Sequence, residues 1–121
     1  MTISKIFMVE DDPMMQSLLK TLLEIEGYQV SSPPMNRSNI IGSLLIEDPD
    51  LVLLDVLLGR SNGLEILKKI KKIKKLKNKK FLMTSGSDLE AECLEAGADG
   101  FIMKPYMPEE LMKKIHALTN G

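Results

Sequence analysis

Leu51-Val52-Leu53-Leu54-Asp55 is the most apolar short run in the chain, and it stops on an acid. Four aliphatic residues in a row, with no polar alternation, describe a central parallel strand covered on both faces. A strand covered in this way needs helices above and below it, so the flanking sequence should alternate strand and helix. Upstream, Ile3 to Val9 (ISKIFMV) is a second, mostly apolar run, ending abruptly at Glu10-Asp11-Asp12. Pro13 suits the first turn of a helix, with Asp12 as its N-cap. Met14, Leu18, Leu22 and Ile25 then recur at helical spacing, with Met15, Leu19 and Leu23 beside them, and Gly27 stands at the usual stop position. Tyr28 to Ser31 reads as a short second strand. Ser31 to Ser38, with Pro33-Pro34 inside it, reads as a loop, and Ile40 to Ile46 as a second helix closed by Asp48-Pro49.

Downstream of Asp55, Gly59 to Gly63 is expected to be a loop. A third helix follows within 66–80, where Leu67, Ile70, Ile73 and Leu76 form a narrow apolar stripe between lysines. Lys80 to Thr84 is a fourth strand. Ser85-Gly86-Ser87-Asp88 then turns into a fourth helix, capped by Asp88 and ended near Gly97. Gly100 to Met103 is a fifth strand running into Lys104-Pro105. Pro108-Glu109-Glu110 opens the last helix, its acids complementing the helix dipole, and that helix runs to about Thr119. Strand and helix alternate five times. Right-handed crossovers then give an α/β fold, a doubly wound five-stranded parallel sheet with helices on both faces, in one domain covering 1–121.

Composition agrees with that class. In 121 residues, 44% hydrophobic and 27% charged side chains are ordinary globular proportions. The one cysteine, Cys93, cannot form an internal disulfide and reads as packing, as do most of the nine methionines. No apolar run approaches the roughly 18 residues that span a bilayer, and the N-terminus lacks the apolar stretch of a signal peptide. The expectation is a soluble, cytoplasmic domain. Its formal charge of −1 conceals a division: Arg60 to Lys80 holds ten basic residues and one acid (Glu65), +9 locally, which leaves −10 elsewhere. The lysines are interleaved with neither arginine nor aromatic residues, which argues against direct nucleic-acid binding. The simplest reading is a solvated face whose lysine stems shield Ile70 and Ile73. His116 reads as a surface or boundary residue.

Ligands of such folds bind beyond the carboxyl ends of the strands. The first strand ends in Glu10 and Asp11, the third in Asp55, the fourth in Thr84-Ser85 and the fifth in Lys104, all on one rim. Three adjacent carboxylates repel one another unless a cation is near. A hard divalent ion with oxygen ligands resolves that, and Mg²⁺ with retained waters is the natural choice. A carboxylate beside such a metal can attack phosphorus to give an aspartyl phosphate. A lysine and a hydroxyl would then neutralise and hydrogen-bond the phosphoryl oxygens. This chemistry is phosphoryl transfer.

On these residues the whole chain resembles the receiver domain of two-component response regulators. VEDDP follows the first strand, LVLLD is the third, TSG ends the fourth and FIMKPY covers the fifth, in the family's order and at ordinary spacings. The resemblance implies a (βα)5, flavodoxin-like (CheY-like) fold. Residue by residue, it casts Asp55 as phosphoacceptor, Asp11 as direct Mg²⁺ ligand and Glu10 as an acid acting through metal-bound water. The backbone carbonyl of Leu57 would be a further metal ligand, Ser85 the switch hydroxyl and Lys104 the phosphate-binding lysine. Lys104-Pro105 would be a cis bond, Phe101 the switch aromatic and Gly63 the turn glycine after the acceptor loop. Gly59 departs from the family, which commonly has proline there. The implied partners are a sensor histidine kinase or histidine phosphotransfer protein as donor, and a downstream effector or an output domain on a longer chain. A phosphorylation-dependent dimer is a further partner that the resemblance allows. The expected output is a changed surface on the fourth helix, fifth strand and fifth helix. The domain is a phosphoacceptor, at most catalysing its own phosphorylation and dephosphorylation, rather than an enzyme.

Three rivals are weaker. Haloacid-dehalogenase phosphohydrolases also form an aspartyl phosphate, but carry a second acid two residues on, where this chain has Leu57. A dinucleotide-binding fold would need a glycine-rich loop after the first strand. An interaction module that is never phosphorylated would have no physical need to keep clustered acids.

Overall fold

In a computed structural model, which describes residues 4–33, 39–59 and 61–120, the apolar runs form the expected strands. The chain passes through β1 (Lys5–Val9), α1 (Pro13–Ile25), β2 (Gln29–Ser31), α2 (Ile40–Glu47), β3 (Leu51–Asp55), β4 (Leu57–Leu58) and β5 (Ser61–Asn62). It continues through α3 (Gly63–Lys71), β6 (Lys80–Ser85), α4 (Glu90–Glu95), β7 (Gly100–Met103) and α5 (Pro108–Asn120). The sheet order is β2-β1-β3-β6-β7, and every neighbouring pair in it is parallel. Residues 1–3 of the first run, 34–38 of the Ser31–Ser38 loop and Arg60 lie outside the described residues.

Strand alternation divides the core in two. Ile6, Met8, Leu51 and Leu53 pack on one face with Leu19, Leu23, Leu111 and Ile115 of α1 and α5. Phe7, Val9, Val52 and Leu54 pack on the other with Leu44, Leu67, Ile70 and Cys93 of α2, α3 and α4. All five residues of β3 are buried, as its unbroken apolar pattern requires. Cys93 is fully buried, and burial, followed by the nearby Glu92 charge, pushes its thiol up to about 11. It therefore stays a neutral packing group.

The structure corrects several details of the sequence reading. In α1 the buried stripe is Leu19 and Leu23, with Met15 against it, whereas Met14, Leu18 and Ile25 face solvent. Methionine is also less internal than expected, since Met14, Met103 and Met107 are exposed. The helix in 66–80 ends at Lys71. Residues 72–79 continue as turns, with Ile73 N–H donating to Ile70 and Leu76 N–H to Ile73. Leu76 stays buried through these turns. Asp88 lies two residues ahead of α4 rather than at its cap, although its carboxylate accepts the Glu90 N–H. Of the expected 59–63 loop, Ser61 and Asn62 instead form a short strand paired in a hairpin with Leu58 and Leu57, and Gly63 is already the first residue of α3, three residues before the expected start.

That hairpin explains Gly63. Its N–H donates to the Val56 carbonyl at 2.6 Å, and a Cβ there would stand 2.2 Å from the Asp55 carbonyl oxygen and 2.9 Å from Val56 Cα. Both neighbours are backbone of the chain leaving β3, so neither can rotate away. Gly63→Ala is expected to cost at least about 2 kcal/mol, whereas Gly42→Ala, where a Cβ meets nothing within 4 Å, should be near neutral or stabilising. Urea unfolding of both variants checks the contrast.

Candidate functional site

The chain leaves β1 at Glu10, β3 at Asp55, β6 at Ser85 and β7 at Lys104, so all four side chains start from the carboxyl edge of the sheet. Asp12 caps α1, its Oδ1 accepting the Met14 N–H at 3.0 Å, with Pro13 in the first turn as expected. The Asp12 N–H in turn donates to Glu10 Oε2 at 3.1 Å, which fixes one carboxylate oxygen of Glu10. The other, Oε1, accepts from Lys104 Nζ at 3.0 Å. Lys104 Nζ also donates to Asp55 Oδ2 at 2.8 Å, while Asp55 Oδ1 accepts the Leu57 N–H at 3.3 Å. One ammonium thus bridges two acids from different strands. Lys104 is itself placed by its N–H donating to the Ser85 carbonyl at 2.8 Å and by a cis Lys104-Pro105 bond, as the motif led us to expect.

The pairing occurs in a dry place. Asp55 is 7% exposed and Ser85 3%, and the Ser85 hydroxyl accepts the Ser87 N–H at 3.1 Å. Burial pulls the Lys104 ammonium down, but its hydrogen bonds to Asp55 and Glu10, and their charges, outweigh that and leave it raised above 10.5. Gly59 lies beside Asp11: a Cβ there would stand 3.4 Å from Asp11 Oδ2, an ordinary contact, so the positive φ of 60° rather than lack of space favours glycine at this position. Phe101 is buried against the α2–α4 side of the core and lies opposite Met83 in the ladder. Leu57 turns its side chain to solvent.

Tyr106 is the residue the sequence reading passed over. Its hydroxyl is buried without a hydrogen-bond partner among the described residues. Burial raises it to about 12, against an opposing pull from the Lys104 charge, with Glu10 and Asp55 adding to the rise. The phenol therefore belongs to the same electrostatic site. Its place two residues after Lys104 in FIMKPY was the available signal. His116, by contrast, lies elsewhere, bonding the Tyr28 hydroxyl at 2.7 Å with Glu26 at 3.6 Å, and it serves the α1–α5 packing.

The expected cation site meets a mixed answer. The donors are all oxygen, which suits a hard ion such as Mg²⁺. Among the described residues, however, no three acid, histidine or cysteine side chains stand together as a ready metal cage. Lys104 instead neutralises Glu10 and Asp55 in this arrangement, so those two acids are not the unpaired carboxylates that the strand ends suggested.

The sequence model of the response regulator receiver domain matches residues 6–116. The chain belongs to that family. Receiver domains are the phosphoaccepting signalling domains of two-component systems and bind Mg²⁺ at the phosphorylation site. Similar proteins include the transcriptional regulatory protein CpxR of Escherichia coli (strain K12), 36% identical over 95% of this chain and 49% of that protein. The chain thus spans about half the length of the curated relatives it matches first. The chemotaxis protein CheY of Thermotoga maritima is 27% identical, over 95% of this chain and 97% of that one. Among solved structures, a CheY-like receiver domain protein from Methanospirillum hungatei JF-1 superposes with a TM-score of 0.85 at 32% identity, covering 98% of this chain and 95% of that one. No helix among the described residues is long and apolar enough to cross a membrane.

The raised Lys104 gives a stability prediction with a definite sign. Because the folded state holds that proton more tightly, its contribution is complete below pH 10.5 and is lost as pH rises through the raised value. Lys104→Met should therefore be less stable than wild type by about 1–3 kcal/mol at neutral pH, and the gap should shrink above pH 10.5. Urea unfolding across that range measures it; a gap independent of pH would remove the ion pair as its cause.

Proposed function

We propose that this receiver domain accepts a phosphoryl group on Asp55 from a phosphohistidine of a sensor kinase or histidine phosphotransfer protein. The observation that carries the reading is the Asp55 carboxylate itself: nine-tenths buried at the end of the central strand, yet held by a lysine ammonium on the rim where Glu10 and Asp11 also begin. A carboxylate oxygen attacks phosphorus, the phosphorus–nitrogen bond to the donor imidazole breaks, and the electron pair leaves with that nitrogen. The charge that develops on the phosphoryl oxygens falls beside Lys104, already in place at 2.8 Å from Asp55. The Leu57 N–H and the Ser85 hydroxyl are the nearby polar groups available to orient them.

Glu10, Asp11, Asp55 and the Leu57 carbonyl are the groups that would hold Mg²⁺, and the ion supplies charge neutralisation for the incoming phosphoryl group. Moving Lys104 from two carboxylates to a dianionic phosphoryl group changes the pull at the end of β7. Ser85 and the buried Phe101 lie on β6 and β7 beside that end, so they are the residues through which the change reaches the α4–β7–α5 surface. That surface is the proposed output, toward a downstream effector, an output domain or a second copy. Residues 1–121 act as one receiver unit in this reading, and the cytoplasm is where a phosphohistidine donor would meet it.

Acetyl phosphate serves as a small donor for the test. Intact-mass spectrometry should show the gain of one phosphoryl group when Mg²⁺ is present, much less when it is chelated, and none in Asp55→Asn. A phosphoryl group retained in Asp55→Asn would place the acceptor elsewhere. No gain at all by the folded wild type, from acetyl phosphate or from a phosphohistidine donor, would overturn the reading.

A further inference from the structure

The lysine-rich stretch is the largest charged feature that the acid site does not use. Lys69, Lys72, Lys74, Lys75, Lys77 and Lys80 are all exposed. None has an ion pair among the described residues, in contrast to Lys68 with Glu65 and Lys79 with Asp48. Lys80 opens β6 opposite Leu51, four residue steps from the Asp55–Thr84 pair, so this end of the lysine-rich stretch lies at the amino edge of the sheet, about 13 Å along the strand from Asp55. Glu92 and Glu95 line a cleft on the α4 side together with Lys68, Lys71 and Lys72, so Lys72 borders acids and the open cationic surface is carried by Lys74, Lys75, Lys77 and Lys80.

The α2 side contributes the second observation. α2 buries Ile40 and Leu44 but turns Ile46 (84% exposed) and Leu45 (44% exposed) outward. Leu45 meets Lys75 and Leu76 in one shallow concavity that also includes Asp48. Leu45 therefore borders Lys75, which has no ion pair among the described residues, although Asp48, paired with Lys79, lines the same concavity. Neither feature alone would single out a ligand; side by side they match the two requirements of a peripheral bilayer contact, an apolar wedge and a polybasic attraction.

We propose that this α2 and 72–80 face docks on a membrane surface bearing anionic lipid headgroups, with Leu45 and Ile46 entering the headgroup boundary and the lysines spread over it. The side-chain chemistry favours this occupant over two others. Protein interfaces are depleted in lysine, whose long stems lose rotamer freedom when fixed, whereas a headgroup layer attracts them without fixing them. Nucleic-acid sites use arginine forks and aromatic stacking, absent from residues 61–80, and have no use for exposed leucine and isoleucine. Docked in this way, the chain presents its carboxyl edge, with Asp55, away from the bilayer. The inference stands independently of whether Asp55 is phosphorylated.

Flotation of the 121-residue chain with vesicles at physiological salt tests it. The chain should float with vesicles of equal parts phosphatidylcholine and phosphatidylserine, and not with phosphatidylcholine alone. Replacing Lys74, Lys75, Lys77 and Lys80 together by glutamine should lower partitioning by several hundred-fold, at about five-fold for each lysine. Leu45→Ser with Ile46→Ser should lower it by roughly ten-fold or more. All six positions are exposed and away from the acid site, so both variants should fold and keep the wild-type phosphoryl uptake. Absence of flotation with the anionic vesicles overturns the proposal. So does flotation indifferent to Leu45 and Ile46, and so does tighter binding to duplex DNA than to anionic vesicles.

Discussion

One ammonium between two carboxylates is the constraint on which the site depends. Lys104 starts from β7 at the edge of the sheet, and Asp55 from β3, with β6 between them. The lysine must therefore reach across the end of β6, over roughly 10 Å at ordinary strand spacing. That end is Thr84-Ser85-Gly86, three small residues. Glu10, fixed by the Asp12 N–H, receives the same ammonium from the far side. The strand order and the N-cap of α1 both serve one electrostatic contact.

The consequence is a site whose charges are arranged before any ligand arrives. Two acids on adjacent strands would repel at this degree of burial, and Lys104, bonded to both, offsets that repulsion. A phosphoryl group arriving at Asp55 brings negative charge to a place already furnished with a cation. The Tyr106 phenol, held neutral up to about 12, adds no negative charge of its own.

Much of this was legible because strand ends are written locally. An apolar run stopping on an acid, a lysine before proline and an Asp-Pro pair opening a helix each need only their neighbours to be read, and all of them stand where the sequence placed them. What failed was information carried by packing. α1 has apolar residues on two faces, and periodicity gives the repeat but not which face meets the sheet; packing selects Leu19 and Leu23 and leaves Met14 and Leu18 exposed. Ile70, Ile73 and Leu76 recur every three residues, a spacing that a tight turn satisfies as well as an α-helix. Gly63 was recognisable as a turn glycine, but its reason, the Asp55 carbonyl in its path, is a contact made only in three dimensions. Tyr106 was hidden for the same cause: its burial beside the acids depends on how the chain turns after Pro105.

The account is tested most directly by a double-mutant cycle between Asp55 and Lys104, with Asp55→Asn, Lys104→Met and the double variant compared by urea unfolding at neutral pH. If one ammonium organises the site, the cycle should give a favourable coupling energy of about 1–3 kcal/mol, and the same Lys104→Met change made with Glu10→Gln should also be non-additive. Effects that add to within about 0.5 kcal/mol in both cycles would contradict it, leaving Lys104 a neighbour of the acids rather than the group that holds them.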